Sequence, residues 1–251
     1  MTITELDLTT VPGAPSGSRT LRGHLARPTG HGPWPGVVVL HEVFGADDDV
    51  MRRHVERLAS LGYLTLMPDL FSDGGAVRCL VATFRALTSG RGRAYADIEA
   101  ARTLLAGHPD STGAVGVLGF CLGGGFALVS AGRGFDAASV NYGPVPKNLD
   151  AVLAGACPVI GSYGGRDRAI PVADVARLDD ALARHGVPHQ VTVYPRASHS
   201  FLNDAPSGPR VLAPLVRVAG MGPEPESAAQ AWVAIDAFLA RHLRAAPPHE
   251  A

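Results

Sequence analysis

Residues 119–124 read GFCLGG, and this stretch decides the fold prediction. It directly follows the apolar run VGVL at residues 115–118 and precedes a second apolar run, FALVSA, at residues 126–131. A strand, a glycine-flanked cysteine and then a helix is the order of a nucleophile elbow, whose reactive side chain stands on a sharp, strained turn. Glycines are needed there because a Cβ would collide with the neighbouring backbone. Cys121 is therefore the candidate nucleophile.

The alternative is that Cys121 is a structural cysteine with glycines beside it by chance. Against this, Gly124 and Gly125 continue the run into the predicted helix, where each glycine costs about 1 kcal/mol relative to alanine. Close backbone packing beneath a nucleophile would explain that cost. The other two cysteines, Cys79 and Cys157, lack such surroundings, and we interpret them as ordinary buried thiols.

Strand-like and helix-like patterns alternate along the chain. Helical spacing of apolar residues, as at Met51, Val55 and Leu58, separates short apolar runs that are typical of buried strands. This alternation predicts an α/β fold with a doubly wound, mostly parallel sheet flanked by helices. Residues 3–9 and 19–26 predict two N-terminal antiparallel edge strands. The predicted parallel strands are residues 37–40, 64–67, 115–118, 138–141, 158–160 and 191–194.

The composition argues against several classes of partner. The chain has 22 Lys and Arg against 23 Asp and Glu, a net charge of −1, so neither nucleic acid nor an anionic membrane surface is favoured. No run approaches the roughly 20 apolar residues that span a bilayer, and the first residues do not resemble a secretory signal. Three cysteines indicate a reducing compartment. We expect a cytoplasmic protein, either a monomer or a weak homodimer.

A nucleophilic cysteine needs a base, because an ordinary thiol is only slightly ionised at neutral pH. Residues 164–168, GGRDR, place Asp167 on a turn after one predicted strand, and residues 195–201, PRASHSF, place His199 after the next. An acid followed by a histidine, both after the nucleophile, is the chain order of α/β-hydrolases. We predict that His199 is the base and that Asp167 orients it. Asp204 is a rival acid, although it lies only five residues past the histidine.

The sequence HEVFG at residues 41–45 follows the first long predicted strand. The backbone after this strand, at Val43, should supply one oxyanion-binding N–H, while Leu122 supplies the other. Glu42 is an unusual residue at this position, and it is either a solvated loop acid or part of the chemistry. We interpret His41 as a packing or positioning residue rather than a second base.

These motifs together resemble the dienelactone hydrolase family, and the likeness runs from about residue 36 to about residue 243. The resemblance implies a single α/β-hydrolase domain over residues 1–251, with a triad of Cys121, Asp167 and His199. It implies that Glu42 hydrogen-bonds the resting thiol and takes its proton when substrate binds. It also implies that an enol-lactone such as dienelactone is opened to maleylacetate without metal or cofactor.

The same resemblance implies a substrate site with carboxylate-binding arginines. Arg78 falls where one of them would lie, and Tyr142 falls where a pocket tyrosine is expected; a surface arginine and a core tyrosine are the alternatives. Where the best-known members place a second arginine after the catalytic histidine, this chain reads Leu202-Asn203-Asp204. Asn203 is therefore the third candidate for contact with substrate, and this departure bears directly on whether dienelactone itself is accepted.

The sequence thus predicts a hydrolase that cleaves a small lactone or carboxylic ester through a thioester intermediate. A thioesterase or acyl-transfer enzyme on the same fold, and a non-catalytic binding protein with the hydrolase fold, are the alternatives. Neither metal nor cofactor is expected, because the chain contains no H-E-x-x-H, no C-x-x-C and no P-loop motif.

Overall fold

The computed structural model describes residues 2–11, 17–208 and 221–244, with the side chains of residues 2, 75–78 and 80 left out. Strands and helices alternate along most of this length. A π-helical turn, Ala240–Arg244, follows the last helix. The helices and strands of the described ranges are β1 (Thr2–Asp7), β2 (Arg22–Arg27), β3 (Trp34–Leu40), α1 (Asp49–Ser60), β4 (Leu64–Pro68), α2 (Gly75–Ser89), α3 (Arg93–Ala106), β5 (Ser111–Phe120), α4 (Leu122–Ser130), β6 (Ala137–Asn141), α5 (Leu149–Leu153), β7 (Val159–Gly164), α6 (Val172–Arg184), β8 (His189–Tyr194) and α7 (Pro225–Leu239).

The described strands form one eight-stranded sheet in the order β1-β2-β4-β3-β5-β6-β7-β8. Strand β2 pairs antiparallel with both β1 and β4, and every other neighbouring pair is parallel. The predicted mostly parallel sheet and its N-terminal antiparallel edge strands are therefore confirmed. Because parallel strands run in one direction, the carboxyl ends of β3, β5, β6, β7 and β8 lie along one edge of the sheet.

Helices cover both faces of the sheet, as a doubly wound fold requires. Successive residues of β5 alternate between two hydrophobic clusters, because side chains alternate across a strand. Val117 packs in the cluster beneath α3, α4 and α6, whereas Leu118 packs in the cluster beneath α1 and α7. No helix within the described ranges is both long and apolar enough to cross a membrane.

Helix α1 begins and ends where its sequence indicates. Asp48 is the N-cap, and its Oδ1 accepts a hydrogen bond of 2.9 Å from Val50 N. Gly62, just past the end of the helix, has a φ of 92°, a conformation that glycine adopts at little cost. Helix α2, which contains Arg78, lies in a part of the chain where no helix was predicted.

Helix α1 also holds the segment that follows β8, here called the 203–208 segment. The N-cap carboxylate of the helix, together with a guanidinium and an imidazole from α1, contacts both ends of this segment. Asp204, the rival acid, pairs with α1 rather than with His199. The contacts are hydrogen bonds from Gly208 N to Asp48 Oδ2 (2.7 Å), from Arg53 to both carboxylate oxygens of Asp204 (2.6 and 2.7 Å), and between His54 Nε2 and Asn203 Oδ1 (3.0 Å).

Candidate active site

Cys121 lies on the turn between β5 and α4, as the sequence predicts. Its φ of 52° and ψ of −118° are strained values for a residue with a side chain. The turn is held by a hydrogen bond of 3.0 Å from Cys121 N to Asn141 O at the end of β6. The side chain is partly exposed, so an incoming molecule can reach the sulfur.

Two glycines make this turn possible. A Cβ on Gly119 would overlap the carbonyl of Gly123, and a Cβ on Gly123 would overlap the carbonyl of Leu40 at the end of β3. No side chain at either position could avoid these backbone atoms. Because of the second contact, the first turn of α4 packs closely against the segment that carries Glu42 and Val43.

The two predicted oxyanion donors therefore come from segments that touch. Leu122 is the first residue of α4, and the N–H groups of a first helical turn have no partner within the helix. Val43 follows the end of β3, where Gly123 packs closely. That these two N–H groups bind an oxyanion stays a prediction.

His199 and Asp167 meet although they follow different strands. His199 Nδ1 lies 2.7 Å from Asp167 Oδ2, and both side chains are buried. The other carboxylate oxygen of Asp167 accepts hydrogen bonds from the backbone N–H groups of Ala169 (2.7 Å) and Ile170 (3.2 Å). The carboxylate is thus fixed, and it holds the imidazole with Nδ1 protonated and Nε2 free to face the site.

The environment of His199 favours its cationic form. Burial by itself lowers the pKa of His199, but hydrogen bonds with Asp167 and Cys121, together with the negative charges of both groups, raise it to about 10. An imidazolium beside the sulfur stabilises the thiolate, which is the nucleophilic form of cysteine.

Glu42 is a buried carboxylate, not a solvated loop acid. It is 3% exposed; Ser200 Oγ donates to its Oε1 over 3.2 Å, and Asn203 Nδ2 donates to Oε1 and Oε2 over 3.3 and 3.4 Å. Burial raises the pKa of Glu42, whereas hydrogen bonds with Ser207, Asn203 and Ser200 and the charge of His199 act in the opposite direction. The side chain therefore sits inside the polar network of the site.

Asn203 is the centre of that network. Its Oδ1 lies 3.2 Å from the Tyr142 hydroxyl and 3.0 Å from His54 Nε2, and its Nδ2 donates to Glu42 and, over 2.6 Å, to Ser207 Oγ. With donors around its oxygen and acceptors around its nitrogen, the amide has one favourable orientation. The predicted substrate-contact residue thus touches the predicted catalytic carboxylate.

His41 has the positioning role that the sequence suggested. Leu70 N donates to His41 Nε2 over 3.1 Å, so Nε2 is an acceptor and the ring proton lies on Nδ1. Nδ1 then donates to the backbone oxygen of Glu42 over 2.7 Å. Burial lowers the pKa of His41, which keeps the ring neutral. His41 therefore fixes the backbone that carries Glu42.

Of the remaining predicted contact residues, Tyr142 lies in the site and Arg78 is outside the described side chains. The Tyr142 ring is fully buried and packs edge-on against the His199 ring, with the centroids 5.2 Å apart. Arg78 belongs to α2, and its contact with substrate stays a prediction. The described residues contain no cluster of three or more His, Cys, Asp or Glu side chains suited to hold a metal ion.

The sequence reasoning missed His54, Ser200 and Ser207. A signal existed for His54, because it shares the buried face of α1 with Val50 and Leu58 at helical spacing, where an apolar residue would be expected. Ser200 and Ser207 gave no comparable signal, since serines are common in loops. Their place in the site depends on how the segment after β8 folds back toward Glu42.

A sheet of this order, with a cysteine on a strained turn after β5, an acid after β7 and a histidine after β8, defines the α/β-hydrolase class. The structure of a "Putative Dienelactone Hydrolase" from Klebsiella pneumoniae superimposes with a TM-score of 0.75 at 26% identity, covering 96% of this chain and 100% of that one. The chain belongs to the dienelactone hydrolase family, whose sequence model matches residues 21–243. It is accordingly a hydrolase.

Two curated relatives agree with the family assignment. A "Putative carboxymethylenebutenolidase" from Methylorubrum extorquens is 31% identical over 198 residues, which are 72% of this chain and 68% of the relative. The carboxymethylenebutenolidase of Pseudomonas putida is 29% identical over 197 residues, 74% of this chain and 83% of the relative. The predicted family and fold class are confirmed.

Proposed function

We propose that this chain hydrolyses a small lactone or carboxylic ester through Cys121, His199 and Asp167, with a thioester intermediate. The observation that carries the proposal is a strained, partly exposed cysteine beside an imidazole whose Nδ1 lies 2.7 Å from a fixed carboxylate. The name carboxymethylenebutenolidase, given to the two relatives, denotes a butenolide, which is a lactone, and this supports the lactone as substrate class.

In the first half of the reaction, the thiolate of Cys121 attacks the carbonyl carbon and forms a C–S bond. The carbonyl oxygen becomes an oxyanion, which the N–H groups of Leu122 and Val43 stabilise. When the oxyanion collapses, the C–O bond to the leaving oxygen breaks, and the imidazolium of His199 gives that oxygen its proton. A lactone would remain attached as a thioester with a free hydroxyl at its other end.

In the second half, water attacks the thioester carbonyl. His199, now neutral, accepts the proton of the water, and Asp167 stabilises the imidazolium that forms. The C–S bond breaks, the carboxylic acid leaves, and the Cys121 thiolate takes back the proton that Glu42 accepted, which restores the resting thiol and the Glu42 carboxylate. Atoms and charges balance with water as the only co-substrate.

Glu42 has a separate task in this proposal, which is to remove the proton of the resting thiol. In this proposal His199 keeps its Nε2 proton for the leaving oxygen, so another group takes the proton of the resting thiol. Asp167 is committed to His199 and to two backbone N–H groups. The buried carboxylate of Glu42 is then the base that the site offers.

The direct test is to trap the acyl group on the protein. With p-nitrophenyl acetate we expect a burst of about one nitrophenolate per chain before steady turnover, because this activated ester should acylate the cysteine faster than water hydrolyses the thioester. Acid quenching followed by peptide mass spectrometry should find the acetyl group on Cys121. A panel of small lactones and aryl esters, compared by kcat/KM, would then rank the substrates.

Other outcomes would contradict the proposal in distinguishable ways. Acetyl on a different side chain would make Cys121 the wrong nucleophile. Transfer of the acyl group to an added alcohol or amine in preference to water would make the protein an acyl-transfer enzyme. Binding of the esters without any release of nitrophenolate would indicate a binding protein with the hydrolase fold.

We also expect iodoacetamide to modify Cys121 before the other two cysteines, with inactivation in step with that labelling. Burial raises the pKa of Cys157 to about 12, so almost no thiolate is present there at pH 8. Cys79 is buried, with its sulfur 3.6 Å from Phe71 O. Peptide mapping over time checks the order, and activity lost while only Cys79 or Cys157 carries label would overturn it.

A further inference from the structure

We infer that His54 is a positioning residue for the reaction: through the amide of Asn203, it holds Glu42 in its hydrogen-bonded arrangement. The inference rests on the proposed function, because it assigns His54 a role only through Glu42. His54 lies on α1, and nothing in its local sequence connects it to the carboxylate.

The packing around His54 leaves its ring little freedom. The side chain is 5% exposed and stacks on Phe120, with centroids 4.4 Å apart and planes within 16° of parallel. The Trp232 ring lies on another side, 5.4 Å away. Phe120 directly precedes Cys121, so the histidine is stacked on the same strand end that positions the nucleophile.

His54 is neutral in this environment and donates from Nε2. Burial lowers its pKa to about 4, although the hydrogen bond with Asn203 and the charge of Asp204 act in the opposite direction. Two nearby cations, Arg57 and Arg53, further disfavour a charged ring. Because Asn203 Oδ1 can only accept, the proton of the neutral ring lies on Nε2, 3.0 Å from that oxygen.

This hydrogen bond decides which end of the amide faces Glu42. While His54 and Tyr142 donate to Asn203 Oδ1, the Nδ2 group donates to the carboxylate. A flipped amide would set its oxygen against the carboxylate oxygens and favour protonated Glu42. The other groups that face Glu42 are Ser200, Ser207 and Tyr142 as hydrogen-bonding partners and His199 through its charge.

The segment itself does not depend on His54 alone. Arg53 and Asp48 also hold it beyond Asn203, through Asp204 and Gly208. Loss of the histidine donor would therefore release the orientation of the amide while the backbone of the 203–208 segment stays attached to α1. That separation makes the inference testable by substitution.

The test compares His54→Phe, which keeps the stacking but removes the donor, with His54→Gln, whose amide can donate in place of Nε2. For His54→Phe we expect kcat/KM near pH 7 to fall about tenfold and the acidic limb of its pH profile to move up by about one unit, because ionised Glu42 loses stabilisation. His54→Gln should recover most of the activity. His242→Phe is the matched control, since His242 also packs against a phenylalanine, Phe238, with centroids 4.5 Å apart.

A double substitution tests whether the effect passes through Glu42. In a Glu42→Gln background, His54→Phe should change kcat/KM by less than about twofold, because no ionised carboxylate is left to position. An unmoved acidic limb in His54→Phe, or an equal loss in both backgrounds, would overturn the inference. Activity retained by Cys121→Ala would refute the proposed function itself, and that result is independent of the result for His54→Phe.

A measurement on the unaltered protein covers the case in which His54→Phe does not fold. The ring ¹⁵N shifts of His54 should show a neutral imidazole with its proton on Nε2 throughout the pH range of activity. A proton on Nδ1, or a titration within that range, would overturn the inference.

Discussion

Cys121→Ala folds like the wild-type chain and loses at least about 10³-fold in kcat/KM on any ester or lactone that the protein hydrolyses. The large effect is expected because the sulfur forms the covalent bond of the reaction, and the residual rate comes only from binding and the oxyanion donors. The fold should tolerate the change, since the side chain is partly exposed and short. The measurements are steady-state kinetics and the thermal midpoint.

Cys157→Ala is the matched control for this substitution. Cys157 is also partly buried, but it precedes β7 at the end opposite the site, so its removal should leave kcat/KM unchanged. A folded Cys121→Ala variant that keeps more than a few per cent of the wild-type rate would refute the assignment of the nucleophile. In that case no thioester could form at this position.

Glu42→Gln is the second substitution with a large expected effect, a fall of about 10²- to 10⁴-fold in kcat/KM, the range typical of a general base. Glutamine keeps the shape and one accepting oxygen for Ser200 and Asn203, but it cannot take a proton. The wild-type rate should fall as the pH drops through the raised pKa of Glu42, and the variant should lack this limb. The pH profiles of kcat/KM and of Cys121 alkylation measure both effects.

The pH dependence of the free energy of unfolding gives a second test of Glu42. Because burial raises the pKa of Glu42 in the folded chain, the folded state binds the proton more tightly than the unfolded state. The free energy of unfolding of the wild type therefore contains a term that declines as the pH rises from the ordinary carboxyl pKa through the raised one. Glu42→Gln removes this decline.

Glu5→Gln, a substitution of an exposed carboxylate in the edge strand β1, is the control for the loss of one negative charge. This substitution should leave the pH profiles of kcat/KM and of Cys121 alkylation unchanged. If Glu42→Gln hydrolyses the best substrate within about threefold of the wild-type rate, Glu42 is a bystander, and His199 must activate the thiol by itself.

The sequence placed the three residues of the proposed triad at strand ends because those positions depend on a simple regularity. Cys121, Asp167 and His199 each follow a predicted strand, and parallel strands bring their carboxyl ends to one edge. The apolar runs identified those strands, and glycines marked the turns. The same regularity placed Glu42 after β3, so the main groups of the site followed from local patterns and chain order.

The network around Glu42 could not be predicted in that way. His54 and Asn203 are 149 positions apart, and their contact depends on the path of the segment after β8 across α1. Helix α2 was missed for a different reason, since it begins after Gly74 without a side-chain cap and has two exposed apolar residues, Val81 and Phe84. The uncapped start gives no N-terminal signal, and the exposed apolar residues blur the single apolar face that marks an ordinary amphipathic helix.

The distribution of the site over the ends of β3, β5, β7 and β8 has a consequence for refolding. Pairing of parallel strands that are distant in the chain is slow, because a long loop must close before any contact is gained. Hydrolytic activity should therefore return only in the last kinetic phase after dilution from denaturant, later than the far-ultraviolet signal of the helices. Complementation by two half-chains cut between β5 and β6 would succeed only if the halves reassemble the whole centre of the sheet.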